Sequence, residues 1–205
     1  MIFKDKTVII TGASEGIGAA TARLFAEAGA NLMLVARSRK NLEAIAEELR
    51  DKTRVEIFPM DVTDADACVD VFKKAAFEFG HVDILVNNAG FHARGPVRDV
   101  AATDLGRIID VNLKAPIMLT RIALPYLEEA GEGVIVNVAS LHGKLASAGA
   151  STGGEAVREG GSVVALGCQV SPHRKPTKPT SVASATRLKA ATASRLHHPV
   201  ALPPA

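Results

Sequence analysis

Residues 1–150 of this 205-residue chain predict an α/β domain built on a doubly wound parallel sheet, C-terminally incomplete. Three observations carry that expectation: short, near-continuous apolar runs alternate with amphipathic helical patterns, glycines stand at the junctions, and the alternation stops near Ser151. Strands of a parallel sheet are buried on both faces, so they read as unbroken apolar runs.

The elements follow in order. A first strand is predicted at Thr7 to Ile10, and a helical pattern from Ile17 to Ala28 is closed by Gly29. The second strand spans Leu32 to Ala36 and the second helix Asn41 to Leu49. Val55 to Met60 is the third strand, followed by a helix from Ala65 to Phe79 that Gly80 ends. On that helix Cys68 falls on one stripe with Phe72, Ala75, Ala76 and Phe79, which makes it a core residue. Ile84 to Val86 is the fourth strand, a long helical segment runs from about Ala101 to Glu129, and Val134 to Val138 is the fifth strand.

Composition bounds the rest. At 47% apolar residues, 205 residues suit one domain with a closed core. The net charge of +2 hides an asymmetry, because 17 basic and 20 acidic groups precede Ser151 while 7 and 2 follow. Cys68 and Cys168 are too far apart and too alone for a metal spacing or a disulfide framework, as suits a reducing compartment. The N-terminus shows no signal-peptide core, and no apolar run would span a bilayer. A soluble, cytoplasmic protein with no membrane partner is expected.

The first chemical motif stands at the end of the first strand: Thr11-Gly12-Ala13-Ser14-Glu15-Gly16-Ile17-Gly18. One glycine permits a tight turn, a second lets the backbone approach a pyrophosphate, and a third lets helix and strand pack closely. The helix start then offers unpaired N–H groups and a positive dipole end to an anion. A purely structural glycine turn is the alternative. After the second strand, where a dinucleotide site reads the adenosine ribose, the chain has Ala36-Arg37-Ser38-Arg39-Lys40 and no carboxylate. The planar fork of Arg37 suits a 2′-phosphate, which favours NADP(H) over NAD(H). Glu15 weighs against this by adding negative charge, and a solvated basic helix start is the alternative.

Further strand ends carry Asp61-Val62, Asn87-Asn88-Ala89-Gly90 and Val136-Asn137-Val138-Ala139-Ser140, with Asn112 inside the long helix. With these motifs in order, residues 3–152 resemble the short-chain dehydrogenase/reductase family, Rossmann-type oxidoreductases that use NAD(P). The resemblance implies that Gly12, Ser14, Glu15, Gly16, Ile17, Gly18, Arg37, Asp61, Val62, Asn88, Ala89 and Gly90 line the cofactor site, with Asp61 near adenine. It implies that Asn87 to Gly90 steady the sheet beside the nicotinamide, that Ser140 binds the substrate oxygen, and that Asn112 holds a water of the proton relay. The substrate would be a small alcohol or carbonyl compound; a homo-oligomer is implied for the intact family and is in doubt for this chain, which lacks one of the helices usually used for pairing. Read alone, Asn-Asn-Ala-Gly is also an ordinary turn, Asp61 a helix cap, and Asn112 a solvated residue. His92 and Arg94 read as an exposed loop that could border a substrate. No Gly-x-Ser-x-Gly surrounds Ser140, so a hydrolase is excluded, and His142 reads as incidental.

The family also requires a tyrosine with a lysine four residues on, whose ammonium favours the phenolate needed for proton transfer. Here Gly153 and Val157 occupy those places, and the single tyrosine, Tyr126, belongs to the long helix. From Gly160 onward there is no Asp or Glu, and prolines recur at 172, 176, 179, 199, 203 and 204. Residues 1–152 are therefore read as a truncated dinucleotide-binding domain and residues 153–205 as a disordered basic tail, save for a short strand at Ser162 to Leu166. One face and one edge of the sheet would be left uncovered, which predicts poor stability. Three functions remain: an NADP(H)-dependent oxidoreductase by descent with a replaced C-terminus, a nucleotide-binding pseudoenzyme, or an interaction protein. Nucleic acid is a poor partner for six scattered basic residues without aromatics to stack on bases.

Overall fold

Val8 and Ile10 face one side of the sheet and Ile9 the other, and this two-residue alternation divides the core into two layers. The structure is a computed structural model that describes residues 1–94, 97–140 and 163–170, without the side chains of 97, 140 and 163–170. All of them belong to one compact unit, Met1–Pro172. The strands are β1 (Thr7–Thr11), β2 (Asn31–Ala36), β3 (Val55–Pro59), β4 (Ile84–Asn87), β5 (Gly133–Ser140) and β6 (Val163–Val170). The helices are α1 (Gly16–Glu27), α2 (Arg39–Leu49), α3 (Ala65–Phe79), α4 (Ala102–Ile109) and α5 (Ala115–Glu129).

The sheet order is β3-β2-β1-β4-β5-β6, with the first five strands parallel. This is the expected doubly wound arrangement. The winding direction across the sheet reverses between β1 and β4, and in open parallel sheets such a switch point, beyond the strand ends, is where ligands bind. On one face Val8, Ile10, Leu32, Leu34 and Val86 pack with Ala22, Ala26, Leu42 and Ala46 of α1 and α2. On the other, Ile9, Met33, Leu85 and Ile135 pack with Phe72 and Ala75 of α3 and with Leu119 and Leu127 of α5. Cys68 is fully buried there, as its stripe predicts, and burial pushes its thiol up to about 11.

Two expectations are corrected. The helical segment from Ala101 to Glu129 is not continuous: a π-helical turn at Asp110–Lys114 separates α4 from α5. Pro116 explains the site of the break, because it has no N–H to offer the carbonyls one turn back. The strand expected at Ser162 to Leu166 runs instead from Val163 to Val170, and it pairs antiparallel with β5 from Gly133↔Val170 to Ser140↔Val163. The edge of β5 is therefore paired, not bare. An apolar run has no intrinsic direction, so its orientation was not readable. The uncovered face fares differently: Val134, Val136 and Val138 are only half-buried.

At the N-terminal ends of the strands, buried Asp83 joins β1 to β4. Its carboxylate accepts from Lys6 Nζ at 2.8 Å and from the Thr7 N–H at 2.8 Å, with His81 Nε2 at 3.0 Å.

Candidate functional site

The glycine turn stands at the β1–β4 switch point, against the loop after β4. Gly12 and Gly16 have φ of +66° and +55°, a left-handed conformation that side chains resist. A Cβ on Gly12 would stand 2.8 Å from Asn88 Nδ2, and one on Gly18 would run into the Gly12 carbonyl oxygen. These glycines thus let α1 close on β1 and on the loop after β4. Beside Gly16, by contrast, there is open space.

Glu15 stands at the helix N-cap position but its side chain makes no capping bond. The first helical bond runs from the Ala19 N–H to the Glu15 carbonyl. The N–H groups of Gly16, Ile17 and Gly18 have no acceptor among the described residues, as at any uncapped helix start. Ser14 is half-buried and Ile17 is exposed on the same turn. The turn therefore fits a phosphate: free donors, a positive dipole end and room at Gly16.

A hydroxyl ties this turn to the loop after β4. Thr11 Oγ1 donates to the Val86 carbonyl at 3.2 Å and accepts from the N–H groups of Asn88 at 2.9 Å and Ala89 at 3.0 Å. Asn88 Nδ2 returns the contact, donating to the carbonyls of Thr11 at 3.0 Å and Gly12 at 3.2 Å. The stretch from Asn87 to Gly90 is thus no ordinary turn. Asn87 donates to Asn137 Oδ1 at 2.8 Å, directly across the β4–β5 register. The Thr11 role escaped the sequence reading, although a threonine ending the first strand was a usable signal.

Asn112 lies in the π-helical turn and clamps one residue. Its Oδ1 accepts from the Phe91 N–H at 2.8 Å and its Nδ2 donates to the Phe91 carbonyl at 2.7 Å. Gly90, just before, comes within reach: a Cβ there would lie 3.6 Å from Asn112 Oδ1. Asn112 is therefore not simply solvated.

At the end of β3, Asp61 Oδ1 accepts from the Thr63 N–H at 3.0 Å and the Thr63 hydroxyl at 2.8 Å. Its Oδ2 accepts from Arg107 of α4 at 2.8 Å. Burial would push the carboxyl up, but the Thr63 donors and the Arg107 guanidinium together outweigh it and hold the group below the usual aspartate value. The cap of α3 is Asp64, which accepts from the N–H groups of Asp66 and Ala67. The alternative reading of Asp61 as that cap is settled by this. Val62 is buried beside it. Arg37 is exposed and has no hydrogen bond or ion pair among the described residues, while Ser38 caps α2 by accepting from the Asn41 N–H at 3.3 Å. His92 and Arg94 are exposed. The backbone of Ser140 ends β5, and the positions of Gly153, Val157, His142 and Lys144 lie outside the described residues. Tyr126 stacks on Phe72 with ring centroids 5.5 Å apart. It stands four helical turns beyond Asn112, about 20 Å along the helix axis, and serves the core.

Residues 6–153 match the short chain dehydrogenase family. The chain belongs to that family. It is 36% identical over 140 residues to an uncharacterised oxidoreductase of Staphylococcus epidermidis, an overlap covering 68% of this chain and 60% of that protein. It is 38% identical over 149 residues to dehydrogenase/reductase SDR family member 7B of Danio rerio, with 69% and 48% covered. A solved short chain dehydrogenase from Mycobacterium smegmatis superposes with a TM-score of 0.69 at 34% identity, over 73% of this chain and 64% of that one. The chain thus spans about 60% of the length of the first of these relatives. Membership of the short-chain dehydrogenase family implies an NAD(P) cofactor, and the free amides at Gly16 to Gly18 fit its pyrophosphate. Among the described residues no helix is long and apolar enough to cross a membrane.

Proposed function

We propose that this chain binds NADP(H) across the carboxyl ends of β1 to β4 and derives from an oxidoreductase that interconverts an alcohol and a carbonyl compound. The observation that carries this is the joint at Thr11, Gly12 and Asn88, which closes the glycine turn on the β4 loop and leaves the α1 amides free. In this reading Gly12, Ser14, Glu15, Gly16, Ile17 and Gly18 surround the pyrophosphate. Arg37 takes the 2′-phosphate, Asp61 and Val62 border the adenine, and Asn88, Ala89 and Gly90 border the nicotinamide half. When bound, the cofactor supplies or accepts hydride at carbon. Ser140 would donate a hydrogen bond to the substrate oxygen, and Asn112 would hold the Phe91 loop and a relay water.

The proton at that oxygen is the missing part. With Gly153 and Val157 in place of a tyrosine and lysine, the chain has no phenol to deliver it. Loss of a general acid costs roughly 10²–10⁴-fold in rate, so binding without efficient turnover is the expected behaviour. Residues 153–205 are read as a replaced C-terminal part.

The test is calorimetric titration and thermal unfolding with NADPH and NADH. NADPH is expected to bind more tightly, and at a hundredfold excess over its Kd to stabilise the fold by about 2.7 kcal/mol. Arg37→Ala should remove most of the preference. Absence of any shift with either dinucleotide overturns the reading. The replaced C-terminus is tested separately in the coding DNA, where a second reading frame past codon 152 should encode Tyr-x-x-x-Lys.

A further inference from the structure

Arg107 draws together parts of the site that the sequence keeps far apart. Its guanidinium donates to Asp61 Oδ2 at 2.8 Å and lies over the Phe91 ring, 5.3 Å from the centroid. Phe91 is itself held through both backbone polar groups by Asn112. A single α4 side chain therefore connects the end of β3 with the loop after β4. An arginine suits both contacts, since an N–H of the fork meets the carboxylate while its charge sits over the ring.

Counting acceptor positions shows what this arrangement leaves available. A carboxylate accepts at about four lone-pair positions. Two on Oδ1 are taken by the Thr63 N–H and hydroxyl, and one on Oδ2 by Arg107. One position on Oδ2 has no partner among the described residues. Without Arg107 that oxygen would lose its fixed direction.

We propose that Arg107 is a positioning residue for base selection, holding Asp61 so that its open Oδ2 position receives the 6-amino group of adenine. This rests on the reading above that Asp61 borders the adenine. A hypoxanthine base carries an oxygen at that position. It would meet the carboxylate lone pair to lone pair and be rejected.

The experiment titrates the full chain with its tighter-binding dinucleotide, NADPH or NADH, and with the hypoxanthine analogue of the same dinucleotide. Wild type should prefer the adenine form by about tenfold or more, the worth of one hydrogen bond to a charged group. In Arg107→Ala the preference should fall to within about twofold of unity, and in Asp61→Asn likewise, with no further loss in the double variant. Arg107→Gln, which keeps most of the side chain, carries the same test if the alanine variant does not fold. Wild type that binds neither dinucleotide overturns the cofactor site itself. Wild type that binds without discriminating, or Arg107 variants that weaken both forms equally and keep the preference, overturn the role of Arg107 alone.

Discussion

Ile135 of β5 points toward α3 and α5 and is 2% exposed, while Val134, Val136 and Val138 on the opposite side of the same strand stay half-buried. The difference follows from chain order. α3 and α5 both precede β5, so the face they cover is complete when β5 joins the sheet. α1 and α2 cover β1, β2 and β3 on the other face, and cover for β5 there has to come from residues that follow it. The family match ends at residue 153, in that following region. Every hydrogen bond described at the glycine turn, at Asp61 and at Asn112 lies on the earlier side of that divide.

Substitutions can break this comparison or sharpen it. The largest effect is expected for Phe72→Ala on the complete face, where truncation should cost about 3–5 kcal/mol in urea unfolding. A small loss there would mean that the α3 layer is loosely packed and the two faces alike. Next, Thr11→Val keeps the volume but strands the Asn88 and Ala89 amides, at a cost of about 1–3 kcal/mol. Dinucleotide affinity should fall with it, and unchanged affinity would separate the switch point from the site. Val136→Ala on the half-covered face should cost only about 1 kcal/mol. A value matching Phe72→Ala would show that this face is as well filled as its opposite.

The smallest effect concerns pH. The carboxyl of Asp61 is held below its ordinary value in the folded chain, so its contribution is fully present above the unfolded value of about 3.9. That contribution is lost as pH falls through the lower folded value. The difference in unfolding free energy between wild type and Asp61→Asn should therefore be constant at neutral pH and vanish in acid. A difference that persists there would show that the pairing with Arg107 and Thr63 does not require charge.

The parallel strands were legible because residues such as Leu32 to Val35 are buried on both faces and must all be apolar. The glycine turn was legible because backbone geometry admits few residues at Gly12 and Gly18. Contacts between distant side chains were not. Nothing local to Asp61 or Arg107 marks them as partners 46 residues apart, and Arg107 reads as one more surface arginine. The π-helical turn was hidden for a related reason, since one extra residue per turn barely disturbs the apolar pattern on either side of Asn112. Pro116 was its only local sign. The sequence also left Asn112 and Asp61 with bland alternatives that only hydrogen-bond partners could remove.

The reversed direction of β6 relocates the chain. Strands β1 to β5 each deliver their next residue to the rim where the glycine turn sits, and a sixth parallel strand would do the same. β6 starts at that rim, with Val163 beside Ser140, and finishes with Val170 beside Gly133. Eight residues at about 3.4 Å each carry the backbone roughly 25 Å to the opposite pole of the sheet. The chain thus leaves its last described strand at the end where Asp83 anchors the strand starts, as far from the glycine turn as the sheet allows.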